Sequence, residues 1–186
     1  NGWLRGTSVL LVGGTPFDVP ETMRMASSGG FLPGQPSAEW RRPAVESYLP
    51  HLSLQYRKEN GAQGALVPYL SPNSRNSPDV IFPSRVLLPW KHGVRNVVGT
   101  SISAPSLAAA LALHFGFQPQ PHFVQRLYED PSLRERYLRR ATGEERSTAM
   151  HGGFPGFRTV NDPSVVWDPV QGLGEFCLKE KSEEGP

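Results

Sequence analysis

An α/β fold is the architecture this sequence predicts, on three observations. A short apolar run from Ser8 to Val12 stops at a glycine pair, Gly13-Gly14, as a buried strand does when it meets a tight turn. An Ala/Leu-rich stretch reaching Phe115 follows Gly99-Thr100-Ser101 and Pro105 and is closed by Gly116, which is the punctuation of one well-made helix. Short strand candidates, Val80 to Phe82 and Arg85 to Leu88, mix with further helical segments and long loops, and such mixtures pack as α/β.

Composition narrows the alternatives. The chain has 186 residues, of which 19 are Gly and 19 are Pro. Together these are roughly 20% of the chain against about 12% on average, which excludes a helix bundle or coiled coil. The formal net charge is only +2 and no Lys/Arg block concentrates positive potential, so no nucleic-acid partner is expected. The longest apolar run, Leu107 to Leu113, is far too short for a membrane span. The single cysteine, Cys177, excludes an internal disulfide framework and a cysteine-rich zinc site. Asn1 rather than Met opens the chain, no signal peptide is visible, and structured sequence starts almost at once. These features raise the expectation that an N-terminal part precedes Asn1.

The remaining elements follow in order. Gly, Pro and Ser from Ser27 to Ser37 predict a loop, and Pro43 near a first turn predicts a short helix over 42–49. Residues 51–77 are polar and without periodicity, and read as a long surface loop. Helices are expected from Pro121 to Glu129 and from Ser132 to Arg140, the second with a solvated face of arginines from Arg134 to Arg140. Thr142 to Arg158 reads as a Gly-rich loop, Trp167 to Gly174 as a turn-rich end, and 179–186 as a polar tail behind one body spanning 1–178. Asp79, in Pro-Asp-Val, reads as a structural aspartate at a strand start, and Trp40, Trp90 and Trp167 as core or loop anchors. Gly13-Gly14-Thr15 lacks the spacing and the lysine of a phosphate-binding loop.

One residue is placed for chemistry. Ser101 lies at the mouth of the helix that follows Gly99. A nucleophile there has its backbone N–H and the helix dipole aimed at a developing oxyanion, while Gly99 lets a substrate backbone approach. The plain alternative is that Ser101 or Ser103 only caps the helix. A nucleophilic serine needs a base. His51 lies in a polar stretch and His92 only nine residues before Ser101, and neither has the context of a subtilisin-type histidine. No Gly-x-Ser-x-Gly elbow and no Glu-x-x-x-Asp pair at helical spacing is present.

Several blocks occur in a definite order: Val12-Gly-Gly-Thr15, Ser28-Gly-Gly-Phe31, Pro78-Asp-Val80, Arg85-Val-Leu-Leu-Pro-Trp90, Gly99-Thr-Ser101 with Pro105, Arg126-Leu-Tyr128, and Trp167-Asp-Pro-Val-Gln-Gly-Leu-Gly174. This series resembles the C-terminal part of the catalytic domain of the sedolisins, the serine-carboxyl peptidases. The likeness runs from about residue 8 to 176 and is nearest to the tripeptidyl-peptidase members, through RVLLPW and the YLPHL stretch at Tyr48. It implies a subtilisin-like, mainly parallel sheet flanked by helices, with Ser101 as nucleophile and a peptide or protein as substrate. It also implies a glutamate base oriented by an aspartate, with a further aspartate at the oxyanion, all in sequence N-terminal to the VGGT block. A carboxylate base titrates near pH 4 and suits acidic conditions. An acidic, lysosome-like compartment or secretion follows by the same analogy.

The resemblance further implies calcium near the C-terminal end, held by carbonyls just before Trp-Asp-Pro and by its aspartate, here Asp168. Ser164 and Val166 stand where glycines are usual, the upstream aspartate is replaced around Arg158-Thr159, and Val98 replaces a serine before Gly99. Asp168 serves as readily as a turn aspartate before Pro169. Two other readings stay open: a subtilisin-type peptidase with a histidine base, and a non-catalytic module of peptidase-like fold. By itself the 186-residue piece is expected to be inactive.

Overall fold

The structure, a computed structural model, describes residues 9–15, 29–60, 73–140, 157 and 159–178. The Gly-rich loop expected at 142–158 and the tail at 179–186 fall almost wholly outside the described residues. The content is mixed α/β, organised on a mainly parallel sheet. Strands β1 (Val12–Thr15), β4 (Val80–Pro83), β8 (Glu175–Phe176) and β7 (Leu138–Arg139) form it in the order β1-β4-β8-β7. β1 and β4 run parallel with Val12 beside Val80, β4 and β8 are parallel at Ile81–Glu175, and β7 is antiparallel to β8.

The glycine pair expected to turn the chain after Val12 lies instead within β1. The reason is close approach: a Cβ on Gly14 would stand 2.9 Å from Ser84 Cβ, so only glycine lets this strand run past Ser84. The loop expected at 27–37 contains β2 (Gly30–Pro36), which pairs antiparallel with β3 (Ser74–Ser77), inside the polar stretch also expected to be loop. The predicted helix over 42–49 is α1 (Arg42–Asn60), which continues through Pro50, after a single 3-10 turn at Glu39–Arg41.

The helix predicted up to Phe115 is α2 (Thr100–His114), closed by Gly116 at φ +59°. It packs on β1 and β4 through the fully buried Leu107, whose burial is worth about 2 kcal/mol. No serine or threonine caps it; its N-cap is Gly99 and Thr100 is already helical. α3 (Phe123–Glu129) and α4 (Pro131–Tyr137) follow, the latter capped by Asp130, whose carboxylate accepts from Ser132 N and Leu133 N.

The core is one cluster centred on Trp167, which meets Tyr48 of α1 edge-on at 5.9 Å and Phe31 of β2 at 5.8 Å. The buried indole N–H donates to the Pro78 carbonyl at 2.7 Å. Trp40 is half-buried against Tyr128, with the Arg41 guanidinium 4.5 Å from its ring centroid. Trp90 is not part of the described core. It is 60% exposed on the hairpin of β5 (Arg85–Trp90) and β6 (Gly93–Val98), where Arg95 stacks on it.

Candidate functional site

Strand β4 ends at Pro83, and the next residue, Ser84, accepts from Gly99 N through its carbonyl at 2.8 Å. That bond closes the base of the β5–β6 hairpin and sets the first turn of α2 beyond the carboxyl ends of β1 and β4. In open α/β sheets this is where ligands bind. Ser101 stands there as the second residue of α2 and is exposed.

The first turn of a helix has N–H groups without carbonyl partners, and among the described residues none accepts from the N–H of Ser101. Ile102 N and Ser103 N both return to the Gly99 carbonyl, at 2.9 and 3.4 Å. Four residues on, Pro105 cannot donate to the Ser101 carbonyl. Ser103 points inward: its hydroxyl is fully buried, has no partner among the described residues, and lies 3.6 Å from where a Gly14 Cβ would be. The two serines therefore divide, one exposed, the other inward and enclosed.

No described residue hydrogen-bonds the Ser101 hydroxyl. His51 Nε2 lies 3.5 Å from Asp162 Oδ2, and Asp162 is held below the usual carboxylate range by its hydrogen bonds from Ser164. His92 is exposed at the hairpin turn, as a surface histidine should be. His114 sits 3.2 Å from the Tyr137 hydroxyl.

Asp79, at the other end of β4, is the structural aspartate expected there. It is fully buried and receives Leu11 N at 2.8 Å, Tyr128 Oη at 2.7 Å, Arg75 at 3.4 Å and Arg41 in a close pair. Two buried arginines facing one carboxylate leave an excess of positive charge; burial first, and Arg41 second, lower the Arg75 guanidinium below its ordinary pKa.

Asp168 is also fully buried. Its Oδ1 accepts from Val170 N at 2.9 Å and Gln171 N at 3.0 Å, and its Oδ2 from Gln171 Nε2 at 2.9 Å and Arg140 Nη2 at 2.6 Å. A carboxylate has about four lone-pair positions. All are taken, so the residues as arranged do not fit a calcium ligand. Among the described residues no group of three or more His, Cys, Asp or Glu side chains is placed to hold an ion.

The Trp167–Gly174 turn is tied to the start of β4, with Leu173 N donating to Asp79 O at 2.8 Å. Ser101 and Asp168 are thus not brought together; they lie at opposite ends of β4, a strand of roughly 13 Å.

The arginine face expected to be solvated is so only in part: Arg136 and Arg139 are exposed, whereas Arg134 and Arg140 are partly buried and engaged. Arg134 donates to the carbonyls of Leu127 and Tyr128 at 3.2 and 2.6 Å, and Arg140 is engaged by Asp168. Nothing local to the sequence announced the roles of Arg140 and Arg41, because their partners come from distant segments.

Among the described residues no helix is long and apolar enough to cross a membrane. Comparison of the chain with protein-family models and with curated proteins matches none.

Proposed function

We propose that this chain carries the nucleophile of an acid-active serine peptidase of the sedolisin type. Ser101 Oγ attacks the scissile carbonyl carbon, the amine leaves, and water hydrolyses the acyl-enzyme. The observation that carries the reading is the position of Gly99-Thr-Ser101: an exposed serine on the first turn of α2, beyond the carboxyl ends of parallel strands, whose N–H has no acceptor among the described residues and can receive an oxyanion. The ordered block series supports it. The proton of Ser101 passes to a glutamate held by an aspartate, and a second aspartate completes the oxyanion site; these belong to sequence N-terminal to β1, and no residue of this chain is assigned those roles. Substrates are peptides or proteins, in an acidic lumen or outside the cell.

Peptide hydrolysis by the full-length protein tests this. Ser101→Ala should lower the rate at least about 10³-fold, and a peptide aldehyde should label Ser101. Undiminished activity in Ser101→Ala would refute the assignment. A rate governed by a group titrating near pH 4 supports the carboxylate base, whereas control near pH 6.5 to 7 favours the histidine-dependent alternative. No hydrolysis and no aldehyde labelling would leave a non-catalytic module of peptidase-like fold.

A further inference from the structure

The turn at the C-terminal end is built around a single buried negative charge. Asp168 and Gly172 exchange backbone hydrogen bonds at 3.1 and 2.8 Å, and Gly172 holds φ +64° where a Cβ would strike Asp79 O at 2.4 Å. The carboxylate inside this turn has no access to water. A buried carboxylate needs a counter-charge and full hydrogen bonding.

Arg140 supplies the charge. Its Nη2 meets Asp168 Oδ2 at 2.6 Å, and its Nη1 donates to the Val166 carbonyl at 2.8 Å and more distantly to the Gly172 carbonyl at 3.4 Å. One guanidinium thus gathers a carboxylate and two main-chain carbonyls. Convergent oxygens of this mixture are what a hard divalent ion would otherwise draw together. A guanidinium meets the same demand with directed N–H donors on a planar fork.

We infer that Arg140 is the internal cation of the Trp167–Gly174 turn, filling the role of a divalent metal, so that this end of the chain holds its shape without calcium. The inference goes beyond the peptidase reading and does not depend on it: it stands or falls on Asp168 and Arg140 whether or not Ser101 is a nucleophile.

Thermal unfolding and terbium luminescence of the full-length protein test it. The wild-type Tm should be the same in millimolar calcium as in excess EGTA, and terbium emission sensitised through tryptophan should not differ between wild type and Asp168→Asn. Arg140→Met should lower the Tm by at least about 5 °C, because it strands the buried carboxylate. The double variant Arg140→Met/Asp168→Asn should recover part of that loss, since the charge is then gone. A calcium-induced rise in wild-type Tm that Asp168→Asn abolishes would overturn the inference. So would terbium emission that requires Asp168, or an Arg140→Met protein as stable as wild type. The wild-type calcium comparison decides the matter even if Arg140→Met does not fold.

Discussion

The phenol of Tyr128 donates to Asp79 Oδ1 at 2.7 Å, joining α3 to the start of β4 across 49 residues of sequence. The same phenol accepts from Asn76 Nδ2 at 2.7 Å, and the same carboxylate takes Arg41, Arg75 and the amide that leads into β1. Asp79 is therefore the hub, and Tyr128 one spoke. Asp79→Asn should cost about 3 to 5 kcal/mol, because two buried guanidinium groups lose their counter-ion. Tyr128→Phe should cost only about 1 to 3 kcal/mol. Urea unfolding of both variants checks the ranking; equal losses would show that the carboxylate is not the hub.

Tyr128 and Tyr48 should make the protein alkali-labile. Burial pushes both phenols up, with a further push from Asp79 on Tyr128 and from Asp168 on Tyr48. In the unfolded chain a tyrosine titrates near pH 10, and in the native state these two titrate higher. Below pH 10 both states are protonated and the full stability is present. Above it the unfolded chain loses protons first, and stability falls by up to about 1.4 kcal/mol per pH unit for each tyrosine. Ultraviolet titration should show these two of the five tyrosines ionising only as the fold is lost. Ionisation of both near pH 10 with native circular dichroism intact would contradict this.

Gly14 and Ser84 should be coupled. A methyl group at Gly14 would press on Ser84 Cβ from 2.9 Å, and the Ser84 carbonyl holds Gly99. Gly14→Ala should cost roughly 1 to 3 kcal/mol, and Ser84→Gly in the same chain should return much of it. A double-mutant cycle measures the coupling; strictly additive costs would mean that the strand relaxes elsewhere.

Ser101→Ala should leave stability within about 0.5 kcal/mol of wild type. The side chain is exposed and without a partner among the described residues, so its loss breaks no native contact. Loss of activity at unchanged Tm would separate a chemical role from a structural one. A clear drop in Tm would point instead to a structural role for the hydroxyl.

The elements legible in the sequence were those written locally. Gly99, the Ala/Leu run and Gly116 delimit α2, and the helix expected from Ser132 to Arg140 is α4, which stops at Tyr137 where β7 begins. Strands β2 and β3 were not legible, because GFLPGQP and SRNS have little strand propensity and are strands only through one another. The second half of α1 was hidden by its polar run and by Pro50, a residue that removes one helical bond without ending the helix. The candidate residues divide the same way. The position of Ser101 on the first turn of α2 could be read because it depends on its immediate neighbours, whereas the charge facing Asp168 comes from Arg140, 28 residues earlier, and no spacing rule reaches that far.

The closed base of the β5–β6 hairpin has a consequence for how the chain can change. Gly99 N on Ser84 O and the Arg85–Val98 pair pin both strands where they meet the body, while the tip at Lys91-His92 is exposed. Residues added or removed at the tip in equal numbers on both strands leave Gly99 where it is. The hairpin can therefore be lengthened, shortened or redecorated while the serine one turn later keeps its address, giving evolution a variable arm beside a fixed point.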